Sequence, residues 1–134
     1  MRWMLLAVLL LCPGARAAEL PPNMEKYYLV LLKRPANAPQ LEAKALEDLQ
    51  QRHLAHLTAM HRAGKLLVAG PFEEQKDPAL RGLCLYRTAT ADDARKLAEA
   101  DPAVQARRLE VEVLAWWVEK GAISFKPPPA AAAK

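Results

Sequence analysis

The segment Tyr27-Tyr-Leu-Val-Leu-Leu32 decides the fold class, because its β-favouring residues are apolar at both alternating sets of positions. Such a pattern predicts a strand that is buried on two faces. Leu66-Leu-Val-Ala69 has the same pattern, Leu83-Cys-Leu-Tyr86 predicts a third strand, and residues 109–118 predict a fourth. A chain of 134 residues has room for one small domain with a single core around these strands.

The segments between the strands have helical periodicity. The first helix is predicted over residues 40–63 and ends at Gly64, because glycine is favoured just after a helix. Its apolar stripe consists of Leu46, Leu49, Leu57 and Met60.

Two further helices are predicted before the last strand. Thr90 caps the first of them, which has Asp93 at the capping-box position and extends to about Ala100. Asp101 and Pro102 open a short third helix as its N-cap and N1 residues. The order β-α-β-β-α-β, with this small extra helix, predicts an α+β fold of the ferredoxin-like type, in which helices cover one face of an antiparallel sheet.

The sheet face without helices is also predicted to be apolar. The strands at 27–32 and 66–69 are apolar on both faces, and the last strand places Leu114 and Trp116 opposite its other apolar side chains. An exposed apolar patch of this kind is unusual on a monomer. We therefore expect a homodimer in which a second copy packs against this face, sheet to sheet.

The beginning of the chain has the pattern of a secretory signal peptide over residues 1–17. A basic start is followed by an apolar run at residues 4–11 and by the small-residue site Ala15-Arg-Ala17, so cleavage is expected before Ala18. The run is too short to span a bilayer, and no membrane anchor is predicted. We expect a periplasmic or secreted protein.

The rest of the chain divides into three parts. Residues 18–25 are a polar lead-in, residues 26–119 form the domain, and residues 120–134 are a flexible tail rich in proline and alanine.

Charge and cysteine content exclude a nucleic-acid-binding protein and a protein that is stabilised by an intrachain disulfide. The chain has 19 basic and 15 acidic residues, and loss of Arg2 and Arg16 with the signal peptide leaves 17 against 15, a net charge of +2. A nucleic-acid-binding protein would need a basic stripe with stacking aromatic residues, which the sequence lacks. Cys84 is the one cysteine of the expected mature chain, so no intrachain disulfide is predicted.

Three histidines lie on the predicted helix at 40–63. At about 100° per residue, His53 falls at the centre of the apolar stripe, His56 lies roughly 60° from it, and His61 lies roughly 80° away on the other side, where solvent is expected. His53 has three interpretations: a core histidine bonded to a backbone carbonyl, a general base oriented by a carboxylate, or a metal ligand shared with His56. H-x-x-H alone is a weak signal without further ligands, so no metal site is predicted.

The other reactive residues have ordinary structural interpretations as well. Asp101 is either only the N-cap before Pro102 or also the carboxylate partner of a histidine. Cys84 lies in the middle of a strand and is interpreted as a small apolar residue. The sequence contains no P-loop, dinucleotide fingerprint, nucleophile elbow or zinc-ribbon spacing, so no cofactor is predicted.

Several short motifs, in this order and spacing, resemble the YCII-related (YciI-like) domain family over residues 26–118. They are Arg52-His-Leu54, Gly64-Lys-Leu-Leu-Val-Ala-Gly-Pro71, Arg81-Gly82 and Ala100-Asp-Pro-Ala-Val104, with a final strand that ends in aromatic residues. The resemblance implies a dimeric α/β barrel of the ferredoxin-like type, with His53 and Asp101 as an active-site pair. It also implies lyase or isomerase steps on small cyclic or unsaturated molecules.

The sequence departs from the family pattern in two ways. It is predicted to be exported, whereas typical members look cytoplasmic. A glycine that often follows the Asp-Pro motif is replaced around Ala106–Arg107. With this departure, Arg107 is expected to narrow the pocket entrance or to bind an anion.

Two functional hypotheses follow. In the first, the protein is an enzyme: His53 moves a proton, Asp101 holds its tautomer, Gly70 beside Pro71 lets a substrate approach the backbone, and Arg52 or Arg107 steers an anionic group. In the second, it is a non-catalytic dimer that binds a small ligand or serves as an accessory protein. Access of solvent to His53 from a cleft would distinguish the two, because a catalytic histidine must be reachable.

Overall fold

Four strands and three helices follow one another in the computed structural model, which describes residues 22–127. The predicted signal peptide lies outside the described residues. The elements are β1 (Met24–Lys33), α1 (Ala43–Arg62), β2 (Leu66–Pro71), β3 (Leu80–Tyr86), α2 (Ala91–Glu99), α3 (Pro102–Gln105) and β4 (Glu110–Glu119). Every predicted element is present.

The four strands form one antiparallel sheet in the order β2-β3-β1-β4. β1 lies inside the sheet, as its two-sided apolar sequence predicts. The segment Leu66–Ala69 has the same pattern, but it belongs to the edge strand β2, of which only Leu66 is buried, because an edge strand has a neighbour on one side only. β3 begins three residues earlier than predicted, at Leu80, since Leu80 and Gly82 continue the pairing with β1. The architecture is the predicted α+β arrangement, and its strand order is consistent with the ferredoxin-like type.

The core lies between the sheet and the helices. Alternate residues of the two central strands point into it, and the helices contribute small residues that allow close packing. Its buried members are Tyr28, Val30, Leu32, Leu66, Cys84, Tyr86, Ala94 and Ala98.

Helix α1 stands partly away from this core. Of its predicted apolar stripe only Leu49 is buried, Leu57 and Met60 are half-buried against the core, and Leu46 is 41% exposed. The reason is that α1 packs chiefly on α3 and on the edge strand β2. A space therefore remains between its first turns and the sheet.

The capping residues of the helices match the sequence signals. Thr90 caps α2 by accepting from the backbone N–H of Asp93 at 3.1 Å. Gly64 follows α1 with φ of 70°. The N–H of Gly64 donates to the backbone carbonyl of His61, and the N–H of Lys65 donates to that of Met60. This is the bonding pattern of a Schellman motif.

The helix-free face of the sheet carries a row of apolar side chains that crosses all four strands. By register the row consists of Val68 on β2, Leu85 on β3, Leu29 on β1 and Leu114 on β4. Val68 and Leu114 are exposed, whereas Leu85 is buried.

The segment after β4 covers part of the same face. The ring of Phe125 packs edge-on against that of Tyr27, with 5.5 Å between the ring centres. The guanidinium of Arg87 lies over both rings and donates to the Tyr27 hydroxyl. Within residues 22–127, no helix is both long and apolar enough to cross a membrane.

Candidate functional site

The predicted histidine–aspartate pair is present. His53 lies in the middle of α1, and Asp101 lies at the N-cap of α3, so the packing of α1 on α3 brings them together. His53 Nδ1 is 2.6 Å from Asp101 Oδ2. The Asp101 side chain is 2% exposed and that of His53 is 12% exposed.

The two carboxylate oxygens of Asp101 have different roles. Oδ1 accepts the backbone N–H of Ala103 at 2.8 Å and caps α3, while Oδ2 faces His53. Of the two interpretations that the sequence left open, the structure shows the second: Asp101 is both the N-cap and the partner of the histidine, and each bond uses its own oxygen. The cap also fixes the carboxylate in the direction of the imidazole.

This geometry determines the tautomer of His53. The buried carboxylate accepts a hydrogen bond, so the neutral ring carries its proton on Nδ1 and leaves a lone pair on Nε2. Within residues 22–127, Nε2 of His53 has no hydrogen-bond partner. Every buried side-chain nitrogen or oxygen atom in this part of the chain has a partner, so Nε2 is not buried and is open to solvent. His53 also lines a cavity, and a neutral imidazole with a lone pair on Nε2 can act as a base.

The other two histidines have structural roles. His56 Nε2 donates to the carbonyl of Leu97 at 3.0 Å, and His61 Nδ1 donates to that of Leu66 at 3.0 Å. The interpretation as a core histidine bonded to a carbonyl thus fits these two. The expectation that His61 is solvated is wrong, because the last turn of α1 rests against the start of β2. In the described part of the chain, no three His, Cys, Asp or Glu side chains converge to hold a metal ion.

The cavity beside His53 has a volume of about 370 Å³ and lies in the space between α1 and the sheet. Ligand sites of this kind have a mostly apolar lining with a few placed polar groups. The apolar part consists largely of Leu32, Leu46, Leu49, Leu54 and Leu57.

The edge of β2 closes one side of the cavity. Gly70 and Pro71, the residues at which the sequence predicts contact with a substrate, both line it. The position that requires glycine, however, is Gly82 on the neighbouring strand: a Cβ there would lie 2.7 Å from the Gly70 carbonyl oxygen. A Cβ at Gly70 would meet nothing within 4 Å. The close approach at Gly82 is thus between two strands, and the approach of a substrate to the backbone at Gly70 stays a prediction.

Cys84 lines the cavity as a neutral thiol. Burial, followed by the charge of Asp101, raises its pKa to about 12. A protonated thiol is a poor nucleophile, so Cys84 acts as the small apolar residue that the sequence indicated.

The arginines of the cavity are not those chosen from the sequence. Arg52 is exposed on α1 and lies outside the cavity lining, and Arg107 lines a separate shallow depression beside Gln105. The cavity is lined instead by Arg34, Arg81 and Arg108.

A turn at the end of α3 explains the exchange of Arg107 for Arg108. Arg107 has φ of 56°. Its N–H donates to the backbone carbonyl of Val104, and the N–H of Arg108 donates to that of Ala103. This is a Schellman motif with an arginine at the position that glycine favours. The reversal turns Arg108 inward, where it is 8% exposed and donates to the carbonyl of Pro39. The sequence signal at this position is the absence of the glycine that the family pattern has. It indicates the turn at the end of α3 and does not identify a ligand-binding residue.

Comparisons with known proteins concern the whole folded domain. The sequence model of the YCII-related domain matches residues 26–117. No curated protein matches the chain. Among solved structures, 5-chloro-2-hydroxyhydroquinone dehydrochlorinase (TftG) from Burkholderia phenoliruptrix AC1100, in complex with 2,5-dihydroxybenzoquinone, is similar with a TM-score of 0.49 and 21% identity. That alignment covers 67% of this chain and 92% of the dehydrochlorinase.

Proposed function

The chain belongs to the YCII-related domain family, and on that premise we propose that His53 and Asp101 are the acid/base centre of an enzyme acting on a small molecule. One observation carries the proposal. The imidazole is held at Nδ1 by a buried carboxylate, its Nε2 has no hydrogen-bond partner within residues 22–127, and the residue lines a cavity of about 370 Å³. A histidine with only a structural role needs no such free edge.

The reaction class that fits this centre is elimination or isomerisation. His53 Nε2 removes a proton from a carbon of the substrate, and the electron pair of the broken C–H bond forms a double bond. In a lyase step the leaving group departs from the neighbouring carbon with its electron pair, and in an isomerase step the proton returns to a different carbon. Asp101 stabilises the imidazolium in either case, and a positioned acid/base group contributes roughly 10²–10⁴-fold to such steps.

Proton transfer at carbon can be measured directly, whatever the natural substrate is. The protein is incubated in D₂O with a panel of small unsaturated acids and lactones, and NMR follows deuterium uptake and loss of signals. We expect at least one compound to react with the wild type and not with His53→Gln. His56→Gln is the matched control, since His56 lies on the same helix and bonds to a backbone carbonyl.

Two outcomes would contradict the enzyme proposal. Reaction that persists unchanged in His53→Gln would show that another group moves the proton. A wild type that binds compounds of the panel and transforms none of them would favour the second hypothesis, a non-catalytic ligand-binding protein.

We also propose that the protein functions as a homodimer through the helix-free sheet face. The support is the apolar row across all four strands, whose member Leu114 is 42% exposed. Trp116 lies two residues further along β4 on the same face of the sheet and is 39% exposed. Trp116→Glu should give monomers or aggregates in light scattering, because a charge on this face loses its solvation on association. Trp117→Glu is the matched control: Trp117 is equally exposed at 37% but lies on the opposite face. A wild type that is monomeric would refute the proposal.

Export is a third proposal, and it rests on the signal-peptide pattern of residues 1–17 alone. Intact-mass measurement of protein from the native host should give a chain that begins within about two residues of Ala18. A chain that retains Met1 would contradict both export and the net charge of the mature domain.

A further inference from the structure

Three arginines line the cavity beside His53, and the charges of two of them act on the third. Arg34 follows the end of β1, Arg81 lies on β3, and Arg108 follows the turn after α3. Three separate parts of the chain therefore contribute one charged residue each to the lining of the same cavity. Among the described residues, no aspartate or glutamate lines this cavity.

None of the three arginines has a salt-bridge partner in the described part of the chain. The salt bridges there join Lys33 to Glu112 and His53 to Asp101, and none involves the three arginines. Partial burial and the charges of Arg108 and Arg81 lower the pKa of Arg34. The cluster is thus held together against its own repulsion.

The fold keeps one member of the cluster in place. Arg108 is 8% exposed, and its Nη1 donates to the carbonyl of Pro39. Arg34 and Arg81 are exposed, and their guanidiniums have no hydrogen-bond partner within residues 22–127. Their donors remain available to a ligand.

We propose that Arg34, Arg81 and Arg108 bind the carboxylate of a small organic acid whose apolar body lies against the leucines of α1. A guanidinium presents a planar fork of donors that matches a carboxylate, and such charge-assisted pairs are stronger than neutral hydrogen bonds. The leucine lining and the volume of about 370 Å³ suit an apolar body of about one ring.

This inference deepens the proposed function, because it names the substrate class of the same site. With its carboxylate on the arginines, the substrate extends along the cavity towards His53, which lines it from α1. The anion-binding part of the inference does not depend on catalysis and can be tested separately.

The test measures binding of benzoate and of benzamide, its neutral analogue of similar shape, to the full chain by isothermal titration calorimetry. We expect benzoate to bind and benzamide to bind at least tenfold more weakly. Arg34→Gln and Arg81→Gln should each weaken benzoate binding by about tenfold, because each removes one charged donor. Both side chains are exposed, so these variants are expected to fold.

Two controls separate the site from general charge and from catalysis. Arg52→Gln removes an arginine from α1 outside the cavity and should leave benzoate binding unchanged. His53→Gln should also bind benzoate, since it keeps the arginines. If His53→Gln binds benzoate but has lost turnover, both proposals are supported. If His53→Gln has lost turnover and the arginine variants bind benzoate as the wild type does, only the acid/base centre is supported.

Three results would overturn the inference. One is equal binding of benzoate and benzamide, and a second is benzoate affinity that is insensitive to Arg34→Gln and Arg81→Gln. The third is that inorganic phosphate binds while benzoate does not, which would assign the cluster to a phosphoryl group instead of a carboxylate.

Discussion

Replacement of Asp101 separates its two structural roles, because each carboxylate oxygen makes a different bond. Asp101→Ala removes the cap of α3, which is worth about 1 kcal/mol. It also removes a hydrogen bond between a charged group and a half-buried ring, worth about 1.5–3 kcal/mol. We therefore expect the free energy of unfolding to fall by about 3 kcal/mol in urea denaturation with an unchanged m-value.

Asp101→Asn tests the same bonds without removing the side chain. Its carbonyl oxygen can still accept the N–H of Ala103, and its amide then donates to His53 Nδ1 and moves the ring proton to Nε2. Stability should fall by about 1 kcal/mol, whereas activity should be lost because Nε2 no longer accepts a proton.

The control for capping alone is Thr90→Ala, since Thr90 caps α2 at an exposed position. It should cost about 1 kcal/mol. An Asp101→Ala variant that costs no more than Thr90→Ala would refute the reasoning, because the bond to His53 would then contribute nothing to stability.

Three further predictions concern the backbone and the buried thiol. Gly82→Ala should lower the melting temperature and Gly70→Ala should not, because a Cβ at Gly82 would lie 2.7 Å from the Gly70 carbonyl oxygen; equal melting temperatures would contradict this. Arg107→Gly should stabilise the protein by up to about 1 kcal/mol by removing the cost of a left-handed conformation, with Arg107→Ala as the control that keeps that cost. Since the pKa of Cys84 is raised from 9.0 to about 12, the native state keeps a proton that the unfolded chain releases, and stability should fall as pH rises through this interval. Cys84→Ala should reduce that fall in denaturation curves at two alkaline pH values, and an unchanged fall would show that other groups cause it.

The elements of the fold could be predicted because their signals are local. Strand patterns, the glycine after α1 and the cap at Thr90 depend on neighbours within a few residues. The position of α1 relative to the sheet could not be predicted, because Leu46 has the sequence signal of a core residue although it lines a cavity. That difference depends on how α1 packs against α3.

The residues of the candidate site could likewise be predicted only in part from the sequence. The family resemblance paired His53 with Asp101, and the structure shows the bond. Sequence reasoning selected Arg107 because the residue replaces a glycine, but the turn after α3 directs Arg108 into the cavity instead. Arg34 and Arg81 were missed because residues far apart in the chain converge only in three dimensions.

Nitrogen NMR of the imidazole rings tests the central claim most directly, which is that Asp101 holds His53 as a base with a free Nε2. The signals of His53 are assigned by their loss in His53→Gln, and its tautomer is determined at a pH where the ring is neutral. The structure predicts a proton on Nδ1 and a bare Nε2 in the wild type, with this preference lost in Asp101→Ala. A neutral wild-type ring that carries its proton on Nε2 would contradict the account, because such a ring has no base to offer to the cavity.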